Sequence, residues 1–179
     1  MNYVALLRGV NVGGKSIVSM KQLKSLFETL GYANVSTYIN SGNIFFSSSK
    51  NAKTIHRELE REMKSEFGFE IPTLVKTANE IKKIAKAIPP HWKNDDKHKS
   101  DVTYLFREID SKKVLGELPF KPDLMEIKYV KGAVLTRVPR ENMGRSGLTR
   151  IVGGKLYPYL TIRNVNTART LAEKSQPRV

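Results

Sequence analysis

Hydrophobic and polar positions along the chain follow two different rhythms, and the switches between them mark out the elements. Residues 2–8, NYVALLR, have the continuous apolar content of a buried strand. After a glycine-rich stretch comes MKQLKSLFETLG, where Met20, Leu23, Leu26, Phe27 and Leu30 recur at helical spacing and Gly31 supplies the stop. Ser19 and Gln22 form a capping box and Val18 and Leu23 a hydrophobic staple, so this helix is predicted to start at Met20. In VSTYIN the period becomes two, with Val35, Thr37 and Ile39 set against Ser36, Tyr38 and Asn40. The turn signal NSGN then leads into a second strand, IFFSS, which completes a hairpin. Ile55, Leu59, Met63 and Phe67 recur every fourth residue and predict a second amphipathic helix. EIPTLVK reads as a short strand whose Pro72 suits a sheet edge or a strand start.

That order, βαββαβ, begins again further on, as βαββ. TANEIKKIAKAIPP opens with a capping box from Thr77 to Glu80, turns Ile81, Ile84, Ala85 and Ile88 inward, and is stopped by Pro89 and Pro90, as a connecting helix would be. Past the polar segment HWKNDDKHKS, the run DVTYLFRE predicts a strand and DSKKVLGEL a short helix. LMEIKYVKGAVLTRV predicts a hairpin turning at Lys131 and Gly132. A helical turn around LTRIVGG and a last helix in NTARTLAEK close the chain, and SQPRV has too little apolar content to hold against fraying. The expected fold is α+β, with two ferredoxin-like βαββ-based halves and antiparallel sheets. The halves are expected at residues 1–90 and 91–179, hinged near residues 91–100. An α/β sheet with crossover helices is the alternative.

Composition adds a core and a charge. With 179 residues, 40% of them hydrophobic and 27% charged, the chain is ordinary for a soluble globular protein. The absence of cysteine excludes disulfide frameworks, thiolate zinc sites and cysteine nucleophiles. The N-terminal apolar run is cut by Arg8, and nothing approaches the roughly 20 apolar residues that span a bilayer, so no membrane association and a cytoplasmic location are expected. Thirty-one lysines and arginines against 17 acidic residues give a formal charge of +14. Anionic partners should accumulate near such a surface, nucleic acid foremost, although a solvated basic face reads the same way in sequence.

One stretch raises a sharper possibility. GVNVGGKS, residues 9–16, fits GxxxxGK[ST], the phosphate-cradling P-loop. A working P-loop needs its helix to begin at the lysine and hydroxyl, so that first-turn amides face the phosphates. Here the start signal falls a turn later, and the strands that follow make hairpins where that fold needs parallel crossovers. What remains is a glycine-rich loop that is either an anion-binding nest or a tight packed connection.

ALLRGVNVGGK, YINSGN followed by IFF, and TIRNVNT appear in that order across nearly the whole chain. Together they resemble the bacterial family catalogued as domain of unknown function 1697. The resemblance implies an α+β fold with ferredoxin-like halves and no established activity. It also implies that Ser16 completes the P-loop pattern by coincidence, since the family's loop needs no hydroxyl after Gly-Gly-Lys. The family blocks fall on Arg8, Gly9, Asn11, Gly13, Gly14 and Lys15, then on Ser41, Gly42 and Asn43, and last on Arg163, Asn164, Asn166 and Thr167. Val165 stands where the family usually carries tryptophan, so a contact made by that indole would be missing.

Each block also has a structural use. Ser41, Gly42 and Asn43 are ordinary hairpin-turn residues, and Asn164 or Asn166, with help from Thr167, suits the cap of the last helix. Arg8 ends an apolar strand and must reach solvent, a carboxylate or a ligand. Between Gly132 and Arg169 the basic residues are Arg137, Arg140, Arg145, Arg150, Lys155, Arg163 and Arg169, and the single acid is Glu141. Guanidinium groups in loops can fork onto phosphate or carboxylate oxygens. Tyr157 and Tyr159 interleave with these charges, and Tyr38, Phe45 and Phe46 lie in the first hairpin; without an RNA-recognition signature all five rings are expected in the core. His56, His91 and His98 are scattered, and lysines interrupt Asp95, Asp96, His98 and Asp101, so neither a metal nor a cofactor is expected. No Ser, His and Asp set can be assembled from spacing, and no oligomeric state is implied. Two functions of different class follow: a nucleic-acid-binding module, and an enzyme on a small phosphorylated or carboxylated substrate held by the Gly9–Lys15 loop and the Arg163–Thr167 segment.

Overall fold

The computed structural model describes residues 1–14 and 16–175. Lys15 and most of the C-terminal segment expected to fray therefore lie outside the described residues. The chain divides into two compact units, the first made of Met1–Ile81 with the described residues from Glu173 on, the second of Lys82–Ala172.

The first unit runs β1 (Asn2–Leu7), α1 (Met20–Thr29), β2 (Ala33–Thr37), β3 (Asn43–Ser47), α2 (Ala52–Phe67) and β4 (Thr73–Thr77). Its sheet has the order β2-β3-β1-β4 with every pair antiparallel, and Val4 of central β1 lies opposite Phe45 and Lys76. Tyr3, Ala5 and Leu7 share one core with Ile44 and Phe46 of β3, Leu23 and Phe27 of α1, and Ile55, Leu59 and Met63 of α2. Val4, Leu6 and Phe45, on the opposite face, are buried as well. Burial on both faces is why β1 reads as an unbroken apolar run.

The local signals hold. The Ser19 hydroxyl accepts from the Gln22 N–H at 3.3 Å, and α1 starts at Met20. Val18 and Leu23 are both buried in the core. Pro72 immediately precedes β4, an edge strand. The expected pattern of β2 fails in one respect: the strand is bulged between Ala33 and Ser36 and ends at Thr37. Ile39 therefore leaves the strand for the turn, where it is half-exposed at a φ of 49°.

At Thr77 the carboxylate of Glu80 accepts the backbone N–H at 2.8 Å while the threonine hydroxyl accepts from the Glu80 N–H at 3.2 Å, the reciprocal box that opens α3 (Ala78–Lys86). The division between the units falls inside this helix. The second unit continues with β5 (His98–Leu105), β6 (Glu126–Val130), β7 (Ala133–Pro139), β8 (Leu160–Asn164) and α4 (Val165–Lys174). Its sheet order, β6-β7-β5-β8, repeats that of the first sheet, again wholly antiparallel. Both sheets are thus ferredoxin-like, and the crossover alternative is ruled out.

Three expectations need correction in this half. DSKKVLGEL forms no α-helix but a 3-10 stretch at Lys112–Gly116, because Gly116 and Pro119 leave no room for the turns an α-helix needs. β8 completes the sheet although its five residues carry no strand periodicity of their own. The polar connector is shorter than expected: β5 already begins at His98, and Trp92 is buried.

The hairpin between β6 and β7 turns at Lys131 and Gly132, as expected. The Asp110 carboxylate pins it, accepting from the Gly132 N–H at 2.8 Å and the Tyr129 hydroxyl at 3.0 Å and pairing with Lys131 at 2.8 Å. Burial pushes the Asp110 pKa up, but the bonds from Lys131, Gly132 and Tyr129 outweigh it and hold the carboxyl below the ordinary aspartate value. A depressed folded pKa stabilises above the unfolded value, about 3.9, and the stabilisation is lost as pH falls through the lower folded value. Asp110→Ala is therefore expected to cost about 1–3 kcal/mol at pH 7, with the gap to wild type closing as the acid limb is descended. Urea denaturation at pH 7 and pH 3 checks this; an equal gap at both would contradict it.

Candidate ligand-binding surfaces

The chain leaves β1 through the glycine-rich loop, and its backbone is left-handed at Gly9, Asn11, Gly13, Gly14 and Ser16. α1 begins only at Met20 behind its own Ser19 cap, four residues past Ser16, so among the described residues no helix starts at the end of the glycine-rich loop. The P-loop arrangement is absent, as the start signals predicted.

Asn11 organises the loop instead. Its side-chain oxygen accepts from the Val18 N–H at 2.8 Å. Its amide donates to Val18 O at 3.0 Å and to Asn40 O at 3.1 Å. The Asn11 N–H reaches Ser16 O at 3.1 Å and closes the loop on itself. One side chain thus clips the first family block to the turn that carries the second. Across that turn Asn43, fully buried, donates to Tyr38 O at 3.1 Å and Ser41 Oγ at 2.9 Å. Gly42 sits at a φ of 71°, and a Cβ there would lie 2.6 Å from Leu7 Cβ, so only glycine allows this approach. Asn11→Ala is expected to cost about 1–3 kcal/mol and to speed amide exchange at Val18, measured by hydrogen exchange.

Strain collects at the same place. The non-glycine residues with positive φ among those described are Asn11, Ser16, Asn34 and Ile39, and three of them lie on this loop and turn. For a β-branched residue such as Ile39 the left-handed region is a true outlier. Val12, Ile17 and Ile39 also expose large apolar side chains here. Arg8 is half-buried, its N–H bonded to Pro72 O at 2.9 Å.

The third family block lies in the second unit, at the end of β8 and the start of α4. Asn164 is the cap, its side-chain oxygen accepting from the Thr167 N–H at 2.9 Å. The exposed Asn166 donates to Asn94 O at 3.1 Å. Arg163 Nη1 donates to Thr161 Oγ1 at 3.0 Å and to Ile162 O at 2.8 Å. Burial draws its guanidinium down to about 10, against the opposing pull of Tyr104. Val165 is fully buried.

The seven cations of the Gly132–Arg169 segment separate into two sets. Arg137 pairs with Glu126 at 2.6 Å and donates to His98 Nε2 at 3.1 Å. Arg169 donates to Trp92 O and Pro89 O at 2.8 and 3.0 Å. These two and Arg163 tie the second unit together. Arg140, Arg145, Arg150 and Lys155 are exposed, and among the described residues none has a carboxylate within ion-pair distance. The loop that carries the last two is anchored from inside: Leu148, Ile151, Leu156 and Leu160 enter the core while Arg150, Val152, Lys155 and Tyr159 point outward.

Of the aromatic residues expected inside, Phe45 and Phe46 are buried, Tyr38 and Tyr157 are half-buried, and Tyr159 is exposed. The exception has a cause: in the tight YPY turn Tyr157 packs on the core and the backbone carries Tyr159 to the other side. Among the described residues no group of three metal-ligating side chains forms. Asp101 is buried against Lys99 at 3.1 Å, and Asp95 accepts the N–H groups of Lys97 and His98.

Fold and site together define a tandem ferredoxin-like α+β protein whose second unit exposes Arg140, Arg145, Arg150 and Lys155 along one stretch of chain. The family model described as protein of unknown function (DUF1697) matches residues 1–135, and the chain belongs to that family. The third block lies beyond the matched residues. A conserved bacterial protein, SP0830 from Streptococcus pneumoniae, has a similar structure, with a TM-score of 0.83 at 24% identity over 98% of each chain. At that identity the likeness concerns the fold. The small subunit of acetolactate synthase from Thermotoga maritima aligns at 14% identity over 91% of this chain and 96% of its own, with a TM-score of 0.24. No curated protein matches significantly. Among the described residues no helix is long and apolar enough to cross a membrane.

Proposed function

We propose that the protein binds nucleic acid through the exposed cations Arg140, Arg145, Arg150 and Lys155 of its second unit. The observation that carries this reading is that all four are exposed with no carboxylate within ion-pair distance among the described residues, in a chain of net charge +14. An exposed set of cations close together in the chain gains by displacing counterions from a phosphate backbone. For single strands each neutralised phosphate adds about −0.7 to the slope of log affinity against log salt, so four contacts give a slope of about −3. Anisotropy of a labelled RNA titrated from low to high salt measures it. A flat profile would remove the reading. A cytoplasmic location belongs to the same proposal, since the polymer is found there.

The second reading, an enzyme on a small phosphorylated or carboxylated substrate, is favoured by the left-handed backbone concentrated in the Gly9–Ser16 loop beside Arg8. Strain of that kind is kept where surrounding structure enforces it, commonly at ligand sites. Thermal stabilisation by inorganic phosphate that persists in high salt and disappears in Arg8→Ala would support it. No stabilisation at any phosphate concentration would remove it.

A further inference from the structure

We infer that the nucleic acid is single-stranded and that Tyr159 stacks on one of its unpaired bases; this rests on the nucleic-acid reading just proposed. The chain has one tryptophan, seven tyrosines and seven phenylalanines, and Tyr159 is the one aromatic residue among them that is exposed. It stands in the loop that presents Arg150 and Lys155, and the exposed aliphatic residue there, Val152, is on that loop too.

The exposure is imposed by the backbone. Arg150 N–H bonds to Gly147 O, Gly154 N–H to Ile151 O, Tyr157 N–H to Gly154 O and Tyr159 N–H to Leu156 O, each at 2.9 to 3.0 Å. The Tyr159 carbonyl then accepts from the Phe106 N–H at 2.9 Å, which fixes the residue at the end of the sheet. With Leu156 and Leu160 buried on either side, the ring has no route inward. A rigidly presented ring on a loop that also exposes Arg150 and Lys155 suits one partner best. In a duplex the faces of the bases are covered by their neighbours, and only phosphates and groove edges are offered. In a single strand the π-faces are free, and a ring stacked on one adds affinity whatever the base.

The test compares a labelled single-stranded RNA with the same strand annealed to its complement, on the full chain at one salt concentration. Wild type is expected to favour the single strand, and Tyr159→Leu to lower the ratio of single-strand to duplex affinity about tenfold, the loss of one stacked base. Tyr159→Phe, which keeps the ring and loses only the hydroxyl, restores the ratio. Equal binding of both forms with no effect of Tyr159→Leu overturns the stacking inference and leaves the nucleic-acid reading standing. Binding of neither form overturns both. An unchanged melting temperature in Tyr159→Leu excludes misfolding as the cause of any loss.

Discussion

Replacing Gly147 with alanine is expected to cost the second unit about 3 kcal/mol or more, enough to unfold a marginally stable domain. The added Cβ would stand 1.7 Å from the carbonyl oxygen of Pro119 and 2.7 Å from its carbon, and the residue sits at a φ of 88°. Both obstacles are backbone, so no rotamer change relieves them. The Pro119–Phe120 peptide cannot swing away freely, because the next residue donates its N–H to Ser146 O at 2.9 Å. Leu118 and Leu148, on either side of the contact, are core residues that would move with it. Gly144→Ala makes the control: nothing lies within 4 Å of its would-be Cβ and its φ is not left-handed. That change should be neutral or slightly stabilising, by roughly 0.4–1 kcal/mol where the backbone is compatible. The single tryptophan, Trp92, is buried in this unit and reports its unfolding directly. A Gly147→Ala protein whose tryptophan transition matches wild type would refute the argument.

Changing Arg140, Arg145, Arg150 and Lys155 together to glutamine is expected to have the largest effect on binding. Removing four phosphate contacts at about 0.7 each takes about 3 from the salt slope and, near 0.1 M salt, lowers affinity by roughly several hundredfold. Stability should change modestly, since all four positions are exposed and the lost contacts are the bonds from Arg140 to Asp95 O at 2.8 Å and from Arg145 to Asn142 Oδ1 at 2.6 Å. The other three arginines of the segment form the contrast. Arg137, Arg163 and Arg169 hold the second unit through named carbonyls, a hydroxyl and Glu126, so their loss should appear first in the unfolding transition. A quadruple variant that binds as wild type does would place the binding surface elsewhere.

What could be read from the sequence was what local chemistry decides. Ser19 and the Thr77–Glu80 box announced helix starts because capping involves only a few neighbouring residues. Lys131 and Gly132 announced a hairpin for the same reason. β8 escaped because five residues between a 3-10 turn and a helix carry too little periodicity, and its strand character comes from pairing with β5. DSKKVLGEL misled because its apolar spacing is helical while its length is not. The bulge in β2 and the left-handed Ile39 are tertiary outcomes with no local signature. The candidate site divides in the same way. Asn164 showed its capping role in advance, whereas the clip from Asn11 to Asn40 spans 29 residues and could not be seen. The four exposed cations look, in sequence, like the three half-buried arginines of the same segment, and only burial separates them.

Nucleic-acid binding is decided most directly by the anisotropy of a labelled single-stranded RNA with the intact protein, from low to high salt, competed by ATP and by inorganic phosphate. Binding is expected to weaken with a log–log slope of about −3 and to be indifferent to both small competitors at matched ionic strength. Displacement by phosphate at constant ionic strength, or binding that ignores salt, would contradict it and turn attention to the strained loop beside Arg8.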